Sequence, residues 1–405
     1  MSRQLLNTSW TLHRLSPLHH GKEFHSLIDN PDALKTYADR LRDQLTGGVV
    51  SGLQIAPAAS NADADDNALF KAGTLKGCTW EAISGWSFHS NNGNNSDEDD
   101  GDNNNGVLGV MIVLQYEFAT YKAALLRQGE QKGDDEGSAT TRGRRSRKGA
   151  GGGNNKTERR KQGSTYLPLL LTRLPNALRQ TFISFLSANF DTYCTLLRLP
   201  SDFLCSGLET YLNASMVDPD ADTSLYSTSS RSVLEDVIKD LHLTLAFSTS
   251  IAPALRTLNI SIPRQNLVHF IGLENDITID AASTDHNRTV GSYFLKGLYE
   301  YFEKHLAMKL DLMGSSSSSV SAADSAGAVH NQSLTSRHVR LAKIACGAFV
   351  LGTEGKLKLV YTSPDAPPAA GNGVEGRRRD SDRRILKACE DLLCSVIRKA
   401  SISEK

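Results

Sequence analysis

Apolar positions recur along this chain at two periods, one helical and one of strands. Leu34, Tyr37, Ala38, Leu41 and Leu45 fall three and four apart and predict a helix. Asn30-Pro31 supplies its N-cap and first position, and Gly47-Gly48 its end. Leu178, Phe182, Phe185 and Leu186 predict a second helix beginning at Pro175, and Leu204, Leu208 and Tyr211 a third after Ser201. Val290, Phe294, Leu298 and Phe302 mark a fourth, and Leu386, Cys389, Leu393 and Val396 a fifth near the C-terminus.

The period of two is equally plain. Leu241, Leu243, Leu245 and Phe247 alternate with His242, Thr244, Ala246 and Ser248, and Leu306, Met308, Leu310 and Leu312 alternate with Ala307, Lys309 and Asp311. Val107 to Tyr116 and Thr120 to Leu126 read as paired strands. So do Leu341 to Leu351 and Lys356 to Tyr361, turning at Gly352 to Gly355.

Four stretches cannot help build a core. Residues 90–106 are rich in Asn and Gly and carry the acidic run Asp97 to Asp100. Residues 128–164 are Gly-rich and basic, residues 314–331 hold five consecutive serines, and residues 364–379 mix Pro, Gly and Arg. Such composition predicts disordered insertions. The strands come in adjacent runs and do not alternate regularly with helices, so the fold class is α+β with mainly antiparallel sheet. A loose strand-plus-helix likeness between the halves divides the chain near residue 220 into lobes 1–220 and 221–405.

Composition narrows the function classes. Forty-five basic residues balance forty-five acidic ones among 405, so any attraction to nucleic acid or membrane must come from local patches. No run approaches the about 18 apolar residues that cross a bilayer, and the first ten residues lack a signal core. Cys78, Cys194, Cys205, Cys346, Cys389 and Cys394 are widely spaced without a CxxC pair, which predicts reduced thiols in a cytosolic or nuclear protein.

Catalytic signatures do not emerge. Neither GxxxxGK[ST] nor a strand-borne GxGxxG occurs, and Gly149 to Gly153 sits in a polar tract that reads as linker. His13, His19, His20 and His25 cluster without Cys or carboxylate at ligand spacing, so surface or core histidines are the reading preferred over a metal site. No GxSxG elbow appears, and Glu235-Asp236 point to different faces. The sequence therefore predicts a macromolecule-binding protein with no catalytic residue, cofactor or metal.

One tract carries local charge. Arg142, Arg144, Arg145, Arg147, Lys148, Arg159, Arg160 and Lys161, joined by Lys156 and opposed by Glu158, are candidates for phosphate contact. A nuclear import signal and a solvated loop fit the same residues. No aromatic interleaves the tract before Tyr166, which disfavours a platform for single strands.

Several dense segments taken in order carry a resemblance. They are Trp10 to Leu18, Leu169 to Asn176, Arg179 to Phe182, Asn189 to Tyr193, Ile251 to Leu255 and Val339 to Leu351. Together they resemble the fungal members of the centromere protein L family (CENP-L) over nearly the whole ordered chain. The resemblance implies a non-enzymatic subunit of the inner kinetochore, in the nucleus at the centromere, with two lobes of curved antiparallel sheet and packed helices. It implies pairing with a centromere protein N (CENP-N) homologue beside other inner-kinetochore subunits, and auxiliary contact with the CENP-A nucleosome or centromeric DNA. It also allows a homodimer through the C-terminal lobe, and it implies neither membrane nor small-molecule substrate. A stand-alone nuclear DNA-binding protein using the 142–161 tract is the competing expectation.

The segment from Val339 to Tyr361 is apolar and continuous, and an exposed strand edge templates a partner's strand. Val339, Leu341, Ile344, Phe349, Leu357 and Leu359 are accordingly the expected partner-binding edge, with interior strands as the equally weighted alternative.

Overall fold

The computed structural model describes residues 2–21, 23–24, 26–28, 30–50, 69, 71–83, 107–129, 163–216, 237, 240–248, 254–263, 265–266, 270, 290–306, 339–361 and 372–402. Among them the fold is α+β, with mainly antiparallel sheet. The chain divides into two compact units. One holds residues 15–170 and 174–194, and the other residues 1–14, 171–173 and 195–405.

The 15–194 unit is organised by a meander. Strands β3 (Leu75–Ile83), β4 (Val107–Tyr116) and β5 (Thr120–Gln128) lie in that order, with β4 paired antiparallel to both neighbours. The register Val107↔Gln128 to Gln115↔Thr120 leaves Val110, Ile112 and Leu114 on one face, where the alternating pattern requires them. A two-stranded ladder joins β2 (Leu18–His19) to β6 (Ser164–Thr165). Helices α1 (Pro31–Val50) and α2 (Asn176–Phe190) supply the rest of the core. Asn30 Oδ1 accepts the Ala33 amide at 3.1 Å, as an N-cap before a first-position proline should. The helix runs past Gly47-Gly48 to Val50, because two glycines in a last turn weaken a helix without forbidding it. Tyr37 and Phe190 meet at 4.4 Å between ring centroids, and Trp80 and Phe185 continue the aromatic cluster.

The other unit is a sheet with helices on one side. Its strands follow the order β10 (Thr257–Ser261), β9 (His242–Phe247), β11 (Val339–Ala345), β12 (Phe349–Gly352), β13 (Lys356–Leu359) and β1 (Ser9–Leu15). Strand β7 (Leu169–Arg173) is divided between the units. Its Thr172 hydroxyl donates to Thr11 O at 3.4 Å. The N-terminal strand thus pairs with the last strand of the chain, through Ser9↔Lys358, Trp10↔Leu357 and Thr11↔Lys356.

Helices α3 (Ser201–Met216), α4 (Val290–Leu306) and α5 (Asn372–Ser401) bury their apolar stripes here. Helix α3 packs against α4, α5 and β11. Close approach is possible because Gly207 of α3 faces Leu392 of α5 and Leu351 of β12, where a Cβ would stand only 3.1 and 3.3 Å from their side-chain ends. Tyr211 of α3 stacks on Phe349 at 5.1 Å, and Ser201 Oγ donates to Leu341 O at 2.9 Å.

Three expectations change. The run from Leu341 to Leu351 is two strands, because the chain turns at Cys346 to Ala348 and Cys346 N donates to Phe349 O at 2.9 Å. Leu306 ends helix α4 instead of starting a strand, and residues 307–312 lie outside the described residues. Helix α5 begins at Asn372, inside the 364–379 stretch that composition assigned to a disordered insertion.

Candidate partner interface

The expected partner edge is not an edge. Strand β11 lies between β9 and β12, β12 between β11 and β13, and β13 between β12 and β1, so both sides of each ladder are occupied. Leu341, Ile344, Phe349, Leu357 and Leu359 are buried, and Val339 is half-buried. These side chains form the core beneath the helices. Their apolar continuity reflects that burial, which sequence alone cannot separate from an interface.

Among the described residues the free edge of this unit is β10. Its register with β9 runs from Thr257↔Ala246 to Ser261↔His242, and among the described residues no strand pairs on its other side. Phe247 N donates to Arg256 O and Ile262 N to Leu241 O, each at 3.0 Å. Opposed pairs alternate between bonded and non-bonded along an antiparallel ladder. Leu258 and Ile260 therefore turn their backbone groups toward β9, and Thr257, Asn259 and Ser261 turn theirs outward. No charge or proline interrupts Thr257 to Ser261. The edge strand of the other unit, β3, is different: it carries Lys76 and Glu81 and a register shift between Leu75 and Gly77. Charges and bulges are how proteins blunt an edge. Strand β10 is left unblunted. Sequence reasoning missed it, although Leu258, Ile260 and Ile262 alternate with Thr257, Asn259 and Ser261.

The remaining candidates offer little chemistry. Arg142, Arg144, Arg145, Arg147, Lys148, Arg159, Arg160 and Lys161 lie outside the described residues. His13 and His20 are buried, and His20 Nε2 lies 2.9 Å from Thr165 Oγ1. His25 is outside the described residues. Among the described residues no cluster of His, Cys, Asp or Glu is placed to hold a metal. All six cysteines are free thiols. Burial pushes Cys389 and Cys394 up to about 12 and Cys346 up to about 11, so they stay protonated and act as packing. No helix among the described residues is long and apolar enough to cross a membrane.

The family model for centromere protein L matches residues 4–401. The chain belongs to the centromere protein L family. No curated protein matches it. CENP-L family membership makes this chain a structural component of the kinetochore, acting at the centromere in chromosome segregation, and not a member of a known enzyme family. The match spans both units and every described helix and strand except part of the first 3₁₀ turn.

Proposed function

We propose that this CENP-L chain heterodimerises with a CENP-N homologue and helps attach the inner kinetochore to CENP-A chromatin. The observation that carries the reading is strand β10, which presents outward backbone groups at Thr257, Asn259 and Ser261 without a blunting charge. A partner strand added there extends the sheet by main-chain hydrogen bonds, the mode that gives affinity without a deep pocket. Its side chains find Leu258 and Ile260, both half-buried, on the helix side.

The test is co-expression with the CENP-N homologue of the same organism, followed by size-exclusion chromatography with light scattering. A stable one-to-one complex is expected for the wild type. Asn259→Pro removes one outward N–H while leaving the β9 ladder bonded, because an edge strand tolerates proline on its open side. This variant should stay folded by circular dichroism and lose the partner. Pairing unchanged in Asn259→Pro would place the interface elsewhere, and a chain that elutes alone in the wild type would remove the heterodimer reading.

A further inference from the structure

Positive charge gathers where α5 ends. Arg398 and Lys399 lie in its last turn, followed by Ala400, by Ser401 as the final helical residue, and by Ile402. Among the described residues Ser401 is the only serine or threonine with a lysine or arginine at both the second and the third position before it. Arg398 and Ser401 are exposed, and Ile402 is 60% exposed. Arg398 makes no ion pair among the described residues.

The Ser401 hydroxyl is placed to be reached. Its Oγ donates to Ile397 O at 2.9 Å, and Ile402 N donates to Arg398 O at 3.2 Å. Helix ends fray, so opening this single turn presents the segment as extended chain. Other hydroxyls with a cation two positions before them are closed. Ser16, after Arg14, is half-buried, and its Oγ accepts Tyr193 N at 2.8 Å. Thr181, after Arg179, lies inside α2 with its hydroxyl on Ala177 O at 3.1 Å. Arg14 of β1 meets the last turn of α5 from the sheet. Its Nη2 donates to Lys399 O at 3.1 Å, and its Nε is buried without a hydrogen-bond partner among the described residues.

We propose that Ser401 is a phosphorylation site, the substrate of a protein kinase with an acidic peptide groove, and that its phosphate releases the last turn of α5 from Arg14. Two cations just before an accessible hydroxyl are a charge pattern that such a groove selects by complementarity. In the transfer a bond forms from Ser401 Oγ to the γ-phosphorus of ATP as the bond from that phosphorus to the ADP oxygen breaks. The hydroxyl proton passes to the kinase's catalytic aspartate, and ADP leaves. The phosphate brings up to about two negative charges to the helix end where unpaired carbonyls already form the negative pole. The turn that holds Lys399 O against Arg14 therefore loosens. Glu404, three positions after Ser401, is a single carboxylate that would suit a kinase selecting acidic sequence, and two cations outweigh it. The site is separate from β10 and does not depend on the pairing proposed there.

The experiment incubates the full chain and magnesium ATP with cyclic-AMP-dependent protein kinase or with casein kinase II, and follows each phosphopeptide by mass spectrometry. The first enzyme should modify Ser401 and the second should not. Arg398→Gln/Lys399→Gln should slow modification of Ser401 by about tenfold or more, and Arg398→Gln alone by less. Ser146, beside Arg144 and Arg145, is the internal control whose rate should not change. Circular dichroism checks the fold of each variant. In the phosphorylated chain hydrogen exchange at the Ile402 amide should quicken by about threefold or more, and Ser401→Ala should abolish that change. No phosphate on Ser401 from the first enzyme, or a rate that the folded variants leave unchanged, would overturn the site. So would phosphate placed there by casein kinase II alone. Unchanged exchange at Ile402 after complete modification would overturn the release from Arg14.

Discussion

Asn7 and Tyr361 exchange two hydrogen bonds across 354 positions of sequence: Asn7 Nδ2 donates to Tyr361 O at 2.6 Å, and Tyr361 N donates to Asn7 Oδ1 at 2.9 Å. Asn7 adopts φ of 55°, a left-handed conformation that asparagine tolerates better than most residues. Its own amide donates to Leu359 O at 2.7 Å, so the residue ties the chain ahead of β1 to the end of β13. Asn7→Ala should cost about 2–4 kcal/mol, two hydrogen bonds and a strained backbone together. Asn7→Gly, which restores the conformational freedom, should cost about 1–2 kcal/mol. Urea unfolding of the three proteins reads both differences.

Two glycines should respond differently to the same substitution. A Cβ at Gly109 of β4 would collide with the Leu125 carbonyl oxygen on β5, which is backbone and cannot give way. Gly109→Ala should destabilise by about 1–3 kcal/mol. At Gly207 the neighbours are the ends of Leu392 and Leu351, and alanine brings up to about 1 kcal/mol of helix propensity against that crowding. Gly207→Ala should therefore lie near neutral in thermal unfolding.

Glu390 gives the chain a pH dependence of unusual sign. Burial is the main cause that pushes its carboxyl from 4.5 up to about 7, with Asp391 adding to the rise and Lys387 opposing it. Between those values the folded chain holds a proton that the unfolded chain has released, so the group's contribution to stability falls as pH rises and levels off above about 7. Glu390→Gln should flatten that fall and be the more stable protein at pH 8 by roughly 1 kcal/mol, since the side chain keeps partial access to water. Denaturant midpoints of both proteins between pH 5 and pH 8, taken as a difference, isolate the group.

The thiols should be slow. Burial lifts Cys205 and Cys389 up to about 12. Cys78 and Cys194 are half-buried and rise to about 11 and about 12. Alkylation at pH 8 should proceed at Cys78 and Cys194 first and reach all six only in denaturant, as mass spectrometry of timed samples would record.

Helices were legible because each buries a broad stripe: Leu178, Phe182, Phe185 and Leu186 lie inward as their spacing requires. Strands with two neighbours were legible for the same reason, as at Val110, Ile112 and Leu114. The edges were not. Strand β3 carries Gly77 and Glu81 and buries only Trp80 and Ile83, and β10 buries none of its residues fully, so a one-neighbour strand leaves a faint pattern. Leu357 and Leu359 are apolar for the sake of their own core, and interior strands look from sequence like edges awaiting company. What no local pattern contains is register.

The pairing of β1 with β13 has a consequence for synthesis. The 15–194 unit is complete once the ribosome has delivered its last helix, whereas Ser9, Trp10 and Thr11 must wait for residues 356–358 before their ladder with β13 can close. Domains fold as they emerge, and distant pairings are the slow ones. A nascent chain stalled before Lys356 would therefore hold one finished body and an N-terminal strand still open on its β13 side, an invitation to chaperones that disappears when the C-terminal hairpin arrives.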